Sequence, residues 1–202
     1  MKPFVAPASD ILFSLQQVAG ARRLDGWDED LTAEVVGQFA RFAEQELAPL
    51  NAPGDQSGCR IENGRVAMPA GFRAAYRAYT DQGWPGLSLP RQYGGQGMPA
   101  SLMGAVMEIF AGANHSLQML CGLVGGAART ILAFGTDRQK RDCLPHLASG
   151  DWLATMCMTE ADAGSDLSRI RTRAVKDGPV WRISGEKIFI SGGDQDMSEG
   201  IL

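Results

Sequence analysis

Histidine is nearly absent from this 202-residue sequence, which has only His115 and His146. Its four cysteines, Cys59, Cys121, Cys143 and Cys157, are scattered and form no C-x-x-C pair. Zinc sites draw on such residues at close spacing, so no metal centre is expected. The same scatter excludes a disulfide framework and fits a reducing, cytoplasmic setting. A surplus of positive charge is also missing. The 19 Lys and Arg are outnumbered by 23 Asp and Glu, giving a net charge of −4. That balance offers no general attraction for nucleic acid or for an anionic membrane, although Arg169, Arg171 and Arg173 make one local basic stripe. Unbroken apolar runs are lacking too. Ile11-Leu12-Phe13 is cut by Asp10 and by Gln16-Gln17, with Lys2 as the one preceding cation, so it does not make a secretory signal. Residues 117–134 are interrupted by glycines and by Arg129, which predicts a buried core helix rather than a membrane span.

Hydrophobic residues make up 45% of the chain, enough for a true core. The first 150 residues carry the helical period. Residues 10–18 predict a short amphipathic helix with Ile11, Leu15 and Val18 on one side. Residues 28–50 predict a longer one. Acidic residues crowd its start, where the helix dipole is positive, and Val35, Phe39, Phe42, Leu47 and Leu50 recur at helical spacing. Pro49, Pro53 and Gly54 are expected to end it, leaving 51–64 as a loop. Pro69 suits a first turn, and Phe72, Tyr76 and Tyr79 continue a helix to about Gln82. Gly94-Gly95-Gln96-Gly97 lacks the phosphate-loop pattern and a preceding strand, so it is expected to be a turn between helices. Pro99 opens the next helix. Asn114 or Ser116 caps another that stops at Gly135. Thr136-Asp137-Arg138-Gln139 has capping-box form, and Pro145 is expected to close the short helix that follows. His115 and His146 are expected in capping or solvent roles.

The period changes at Met156-Cys157-Met158-Thr159-Glu160-Ala161-Asp162-Ala163-Gly164-Ser165-Asp166. Strands are expected over 152–159, 169–174, 180–183 and 187–191, with a turn at Asp177-Gly178-Pro179 and antiparallel pairing. The second is expected to be half-buried, with Arg169, Arg171 and Arg173 on its open face. The segment after Thr159 gathers Gly, Ser and Asp without bulk. Backbone N–H groups and a hydroxyl there suit close approach by a polar cofactor or a phosphate. The fold class is therefore α+β, with a helical amino-terminal domain over 1–150 and the first part of a β-domain over 151–202. Four short strands leave an open edge, and Ile201-Leu202 have no element to finish, so residue 202 is expected to be an interruption.

Four motifs carry a family likeness. Met158-Thr159-Glu160-Ala161-Asp162-Ala163-Gly164-Ser165-Asp166 resembles the T-E-P-x-A-G-S-D signature of the acyl-CoA dehydrogenases. Gly135-Thr136-Asp137-Arg138-Gln139-Lys140 with Leu144-Pro145-His146-Leu147-Ala148-Ser149-Gly150 resembles the family's G-T-x-x-Q-K…L-P-x-L-A-S-G segment. Leu89-Pro90-Arg91-Gln92-Tyr93-Gly94-Gly95-Gln96-Gly97 resembles its P-x-x-Y-G-G-x-G loop. Gly185-Glu186-Lys187-Ile188-Phe189-Ile190-Ser191-Gly192-Gly193 resembles its G-x-K-x-[WF]-I-[ST]-[NG] strand. The start, Ala6-Pro7-x-x-Asp10-x-x-Phe13-x-Leu15, and the ending through Asp194 are similar to a longer branch that includes the 3-methylmercaptopropionyl-CoA dehydrogenases. The likeness implies a helical domain, a middle β-domain and a second helical bundle that these residues do not include. It implies FAD as cofactor, an acyl-CoA substrate, electron-transfer flavoprotein or a similar acceptor, and a homo-oligomer when full length. It also implies a glutamate base that takes the α-proton while the β-hydrogen leaves as hydride to the flavin. That base belongs to the second bundle, so no catalytic residue is expected here and the portion is expected to be inactive alone.

The resemblance assigns roles residue by residue. Met156, Cys157 and Met158 would set strand backbone against the flavin ring, and Thr159 would offer its hydroxyl to the ring's polar edge. Gly164 would allow close approach, and Ser165 would contact the diphosphate or the bound substrate. Phe189 would pack on one flavin face, while Ile190 and Ser191 would line the ring. On their own, Thr159, Ser165 and Phe189 equally suit a strand threonine, a turn serine and a core aromatic. Glu160 and Asp166 are not marked as the base, and Asp166 is expected to cap a turn. Ala161 departs from the family's proline, which loosens the turn. Two other functions stay open: a non-catalytic truncated relative that associates with full-length subunits, and a flavin oxidase or monooxygenase on the same fold.

Overall fold

Phe39 is the residue about which the helices gather. In the computed structural model, which describes residues 2–202, it is fully buried. Its ring centroid lies 4.8 Å from that of Trp84 and 5.8 Å from those of Phe42 and Phe110. Phe39 belongs to α2 (Glu29–Phe42), which begins at Asp28, whose side chain accepts from the Leu31 N–H at 2.9 Å. Val36, Phe39 and Ala40 bury one face of α2. Before it, α1 (Ala8–Phe13) and one π turn cover Ile11 and leave Val18 exposed.

A second π turn carries α2 into α3 (Ala48–Ser57), which corrects the expected stop at Pro49, Pro53 and Gly54. Pro49 sits in the first turn of α3, where its missing N–H forfeits nothing, and Pro53 gives up a single bond. Gly54 is not a breaker. It admits the Phe72 ring, which would stand 2.7 Å from a Cβ placed there. The expected loop over 51–64 also hides a hairpin, β1 (Arg60–Glu62) against β2 (Arg65–Ala67). Asn63 and Gly64 turn it with φ of 53° and 77°, the left-handed pair that tight hairpins require.

Four helices follow: α4 (Phe72–Asp81), α5 (Ala100–Ala113), α6 (His115–Phe134) and α7 (Asp137–Ser149). Asn114 is fully buried and does two things. It accepts from the Leu117 N–H at 3.1 Å, starting α6, and donates to the Leu47 carbonyl at 3.2 Å. The α7 capping box forms in both directions between Thr136 and Gln139. Pro145 does not close α7, which runs on to Ser149 and ends where Gly150 turns left-handed at φ 84°. The Tyr76 hydroxyl donates to the Gly150 carbonyl at 2.6 Å and fixes that end. His146 stacks on Trp152 with ring centroids 4.4 Å apart. Among the described helices α6 alone is long and apolar enough to cross a membrane. It is buried only along the stripe of Leu117, Cys121, Val124 and Ala128, so the expectation of a core helix holds for one face.

Beyond α7 the strands are shorter than expected. β3 (Trp152–Leu153) pairs in parallel with β6 (Gly200–Ile201), so the antiparallel expectation fails here and Ile201 does have a partner. Residues 154–159 lack a ladder. The strand expected over 169–174 opens instead as a 3₁₀ turn, because the Asp166 carboxylate accepts from the Ser168 N–H at 3.1 Å, as its capping role required. β4 (Arg173–Asp177) and β5 (Val180–Ser184) form an antiparallel hairpin about Gly178-Pro179. Both strands are exposed at every residue, so the half-buried reading fails: neither face is covered by another described element. The strand expected over 187–191 is broken by Phe189 at φ 57°. The α+β class stands, with many helices and few, short strands.

Candidate functional site

Residues 155–160 and 187–191 lie side by side. The Ile188 N–H donates to the Thr159 carbonyl at 3.0 Å. Near the other end, the Thr155 hydroxyl donates to the Ser191 carbonyl at 2.9 Å. At the Ile188–Thr159 end the Lys187 ammonium donates to the Met158 carbonyl and to Glu160 Oε1, both at 2.8 Å. Two segments that the sequence separates by some thirty residues thus become two walls one hydrogen bond apart.

Glu160 anchors the arrangement. Its side chain is 9% exposed and that of Lys187 is 19% exposed. Its carboxylate also accepts from the N–H groups of Arg171 at 2.7 Å and Thr172 at 2.9 Å. The Lys187 ammonium foremost, and then these neighbours, hold the Glu160 carboxyl well below the usual carboxylate range. A carboxylate held so low is a fixed anion. It is not a proton acceptor near neutral pH, where a general base needs a raised value. The turn that follows closes on itself, with Glu160 and Ala163 exchanging backbone bonds at 3.0 and 3.1 Å. The departure at Ala161 therefore leaves the turn closed without proline.

The walls present apolar side chains outward. Phe189 is 87% exposed, and Met156, Cys157 and Met158 are exposed as well. Thr159 and Ile190 are half-buried, and Ser191 is exposed. Gly164 and Ser165 lie beyond the Glu160–Ala163 turn and are exposed. No described hydrogen bond joins those two to the facing wall, so the structure brings together Met156 through Thr159 with Phe189 through Ser191 and sets Gly164 and Ser165 to one side. A Cβ at Gly164 would meet nothing within 4 Å, so this backbone is open to a ligand. Exposed sulfur and aromatic side chains beside uncovered backbone offer stacking surface and backbone polar groups of the kind a flat, heteroatom-edged ring can use.

Sequence reasoning missed Thr155 and Lys187 and gave Glu160 no task. A signal was present for two of them, since Glu160 and Lys187 are opposite charges in the two motifs quoted above, although Asp162, Asp166 and Glu186 share those motifs. Thr155 precedes the motif and carried no such signal.

The family model described as acyl-CoA dehydrogenase, N-terminal domain, matches residues 30–151. The 3-methylmercaptopropionyl-CoA dehydrogenase of Ruegeria pomeroyi is 39% identical over 206 residues, covering 98% of this chain and 35% of the relative. The broad-specificity linear acyl-CoA dehydrogenase FadE5 of Mycobacterium tuberculosis is 31% identical, covering 100% of this chain and 34% of its own length. The solved butyryl-CoA dehydrogenase of Megasphaera elsdenii superposes with a TM-score of 0.70 at 25% identity, over 84% of this chain and 43% of that one. The chain thus spans about a third of the length of the curated relatives it matches.

Proposed function

The chain belongs to the acyl-CoA dehydrogenase family, and on that premise we propose that it forms the helical domain and part of the flavin-facing wall of an FAD-dependent enzyme that desaturates an acyl-CoA thioester. In this reading residues 1–150 are the helical domain and 151–202 the first part of the middle domain. The observation that carries it is the cross-linked pair of walls, 155–160 and 187–191, with exposed Met156, Met158 and Phe189. Bound FAD would supply the two-electron acceptor that no side chain can provide.

The chain's own residues bind and orient. Phe189 offers a ring face for stacking, and Met156 and Met158 offer polarizable contacts. The Thr159 and Ser191 hydroxyls supply hydrogen bonds for the heteroatom edge. Gly164 and Ser165 serve the diphosphate or the thioester. Glu160 is engaged on every side and is not free to take the α-proton, and we place the base outside these 202 residues. In the whole protein, electron-transfer flavoprotein or a similar acceptor would reoxidise the flavin, and like subunits would assemble.

Titration of the purified chain with FAD, followed by quenching of flavin fluorescence, tests the cofactor reading. Saturable quenching is expected, weakened in Phe189→Ala; no quenching in the parent chain defeats it. An assay with butyryl-CoA and an artificial electron acceptor tests the placement of the base. Turnover by the 202-residue chain would show that the base lies within it.

A further inference from the structure

We propose that Lys187 and Glu160 are the positioning pair of the candidate flavin cleft, clasping 187–191 onto 155–160 so that Phe189 is held in the posture that presents its ring. The proposal rests on the reading that these walls hold FAD.

Phe189 poses the physical problem. Its φ of 57° lies in the left-handed region that bulky side chains avoid. Its ring is almost wholly exposed, so no burial of its own offsets the strain. Such a residue persists only where the chain on both sides over-determines it. After it, Ser191 is held by Thr155. Before it, Ile188 is held by Thr159, and Lys187 grips both the Met158 carbonyl and Glu160.

The Lys187–Glu160 pair differs in kind from the other ion pairs. In every other described pair at least one side chain is about half exposed or more, as in Arg138–Asp142 at 85% and 59%. Surface pairs of that sort contribute little. The clasp is mostly shielded from water, and two oriented backbone N–H groups complete the shell of Glu160. Removing one partner of a shielded pair strands the other charge, so the pair either closes or the loop gives way. It also joins the two motifs at the level of Met158, one residue from Thr159. Lys187 and Glu160 need not touch the cofactor to act on it; they set where Phe189 stands relative to Thr159.

The test uses the 202-residue chain and its Lys187→Met, Lys187→Arg and Glu160→Gln variants. Hydrogen exchange read by NMR at the Ile188 amide reports the clasp directly, without cofactor. Exchange is expected to accelerate by about tenfold or more in Lys187→Met and Glu160→Gln, and to return towards the parent rate in Lys187→Arg. Amides of α6 should keep their parent rates, which shows that the variants are folded. FAD affinity should fall in parallel by about tenfold and be rescued by arginine. Unchanged exchange at Ile188 in Lys187→Met overturns the clasp. Accelerated exchange with FAD bound as tightly as by the parent overturns the positioning role and leaves the flavin reading intact. A parent chain that takes up no FAD overturns the flavin reading and, with it, the role assigned to the pair.

Discussion

Glu160 illustrates how a carboxylate inside a cofactor motif can be structural. Its folded-state pKa is depressed, with the Lys187 ammonium as first cause. A depressed acid contributes stability that is fully present above its unfolded value, about 4.3, and that is lost as pH falls through the folded value. The Ile188 amide and the Glu160 side-chain carbon should therefore show no inflection between about pH 5 and pH 8. An inflection in that range, followed by NMR, would mean that the clasp is open. Phe189 gives a second prediction at this scale. Replacing it with glycine removes the left-handed penalty of about 1–2 kcal/mol but adds unfolded-state freedom of about 0.4–1 kcal/mol. With the ring 87% exposed, little burial is lost. Phe189→Gly should leave the urea midpoint unchanged or slightly raised while weakening FAD quenching. A large fall in the midpoint would show that the ring packs in the apo chain. The motifs themselves were legible because each is a short, recognisable run. The pairing of Lys187 with Glu160 was not, since the two lie 27 residues apart and meet through a fold-back that no local pattern specifies.

At the scale of elements, legibility followed how local the cause was. The Thr136–Gln139 box and the Gly178-Pro179 turn depend on neighbours in sequence, and each was read correctly. Pro53 and Pro145 misled, because a proline forfeits one bond while burial of the surrounding helix decides whether that matters. The Asn63-Gly64 hairpin was overlooked although its signal is local. The strand expected over 152–159 forms only at its first two residues, because ladders need partners at the right register, which alternation alone does not supply, and the one over 187–191 is broken by Phe189. Asn114 allows a quantitative test. Asn114→Ala removes the α6 cap and leaves the buried Leu47 carbonyl without its donor. A loss of about 2–3 kcal/mol in urea unfolding is expected. Gly125 predicts the opposite sign. It lies within α6, and a Cβ there would meet nothing within 4 Å. Gly125→Ala should stabilise the chain by about 0.8–1 kcal/mol. A destabilisation would mean that the space above Gly125 is occupied in solution.

For the whole molecule the consequence is an uneven distribution of stability. Apolar burial concentrates in the helices, where Phe39, Phe110, Tyr79 and Trp84 interlock and α2, α5, α6 and α7 pack in succession. Residues 164–186 contribute almost nothing to that core. Val175, Trp181 and Ile183 are exposed on a two-stranded hairpin, and such a hairpin is at best marginally stable by itself. Opening there should cost far less than global unfolding. What ties this segment to the rest runs through Glu160, which accepts from the Arg171 and Thr172 N–H groups, and through the exposed Arg171–Asp162 pair. Limited proteolysis should therefore cut first within 164–186 and leave the helical region as a resistant product. Phe39→Ala separates this account from simple fragility. It opens a cavity at the aromatic cluster and should cost about 3–5 kcal/mol in urea unfolding monitored by far-ultraviolet circular dichroism. Yet the first cleavage within 164–186 should proceed at nearly the parent rate under conditions where both chains remain folded, because that opening does not pass through the helical core. A rate of hairpin cleavage that rises in step with the lost stability would show that the two regions unfold as one unit.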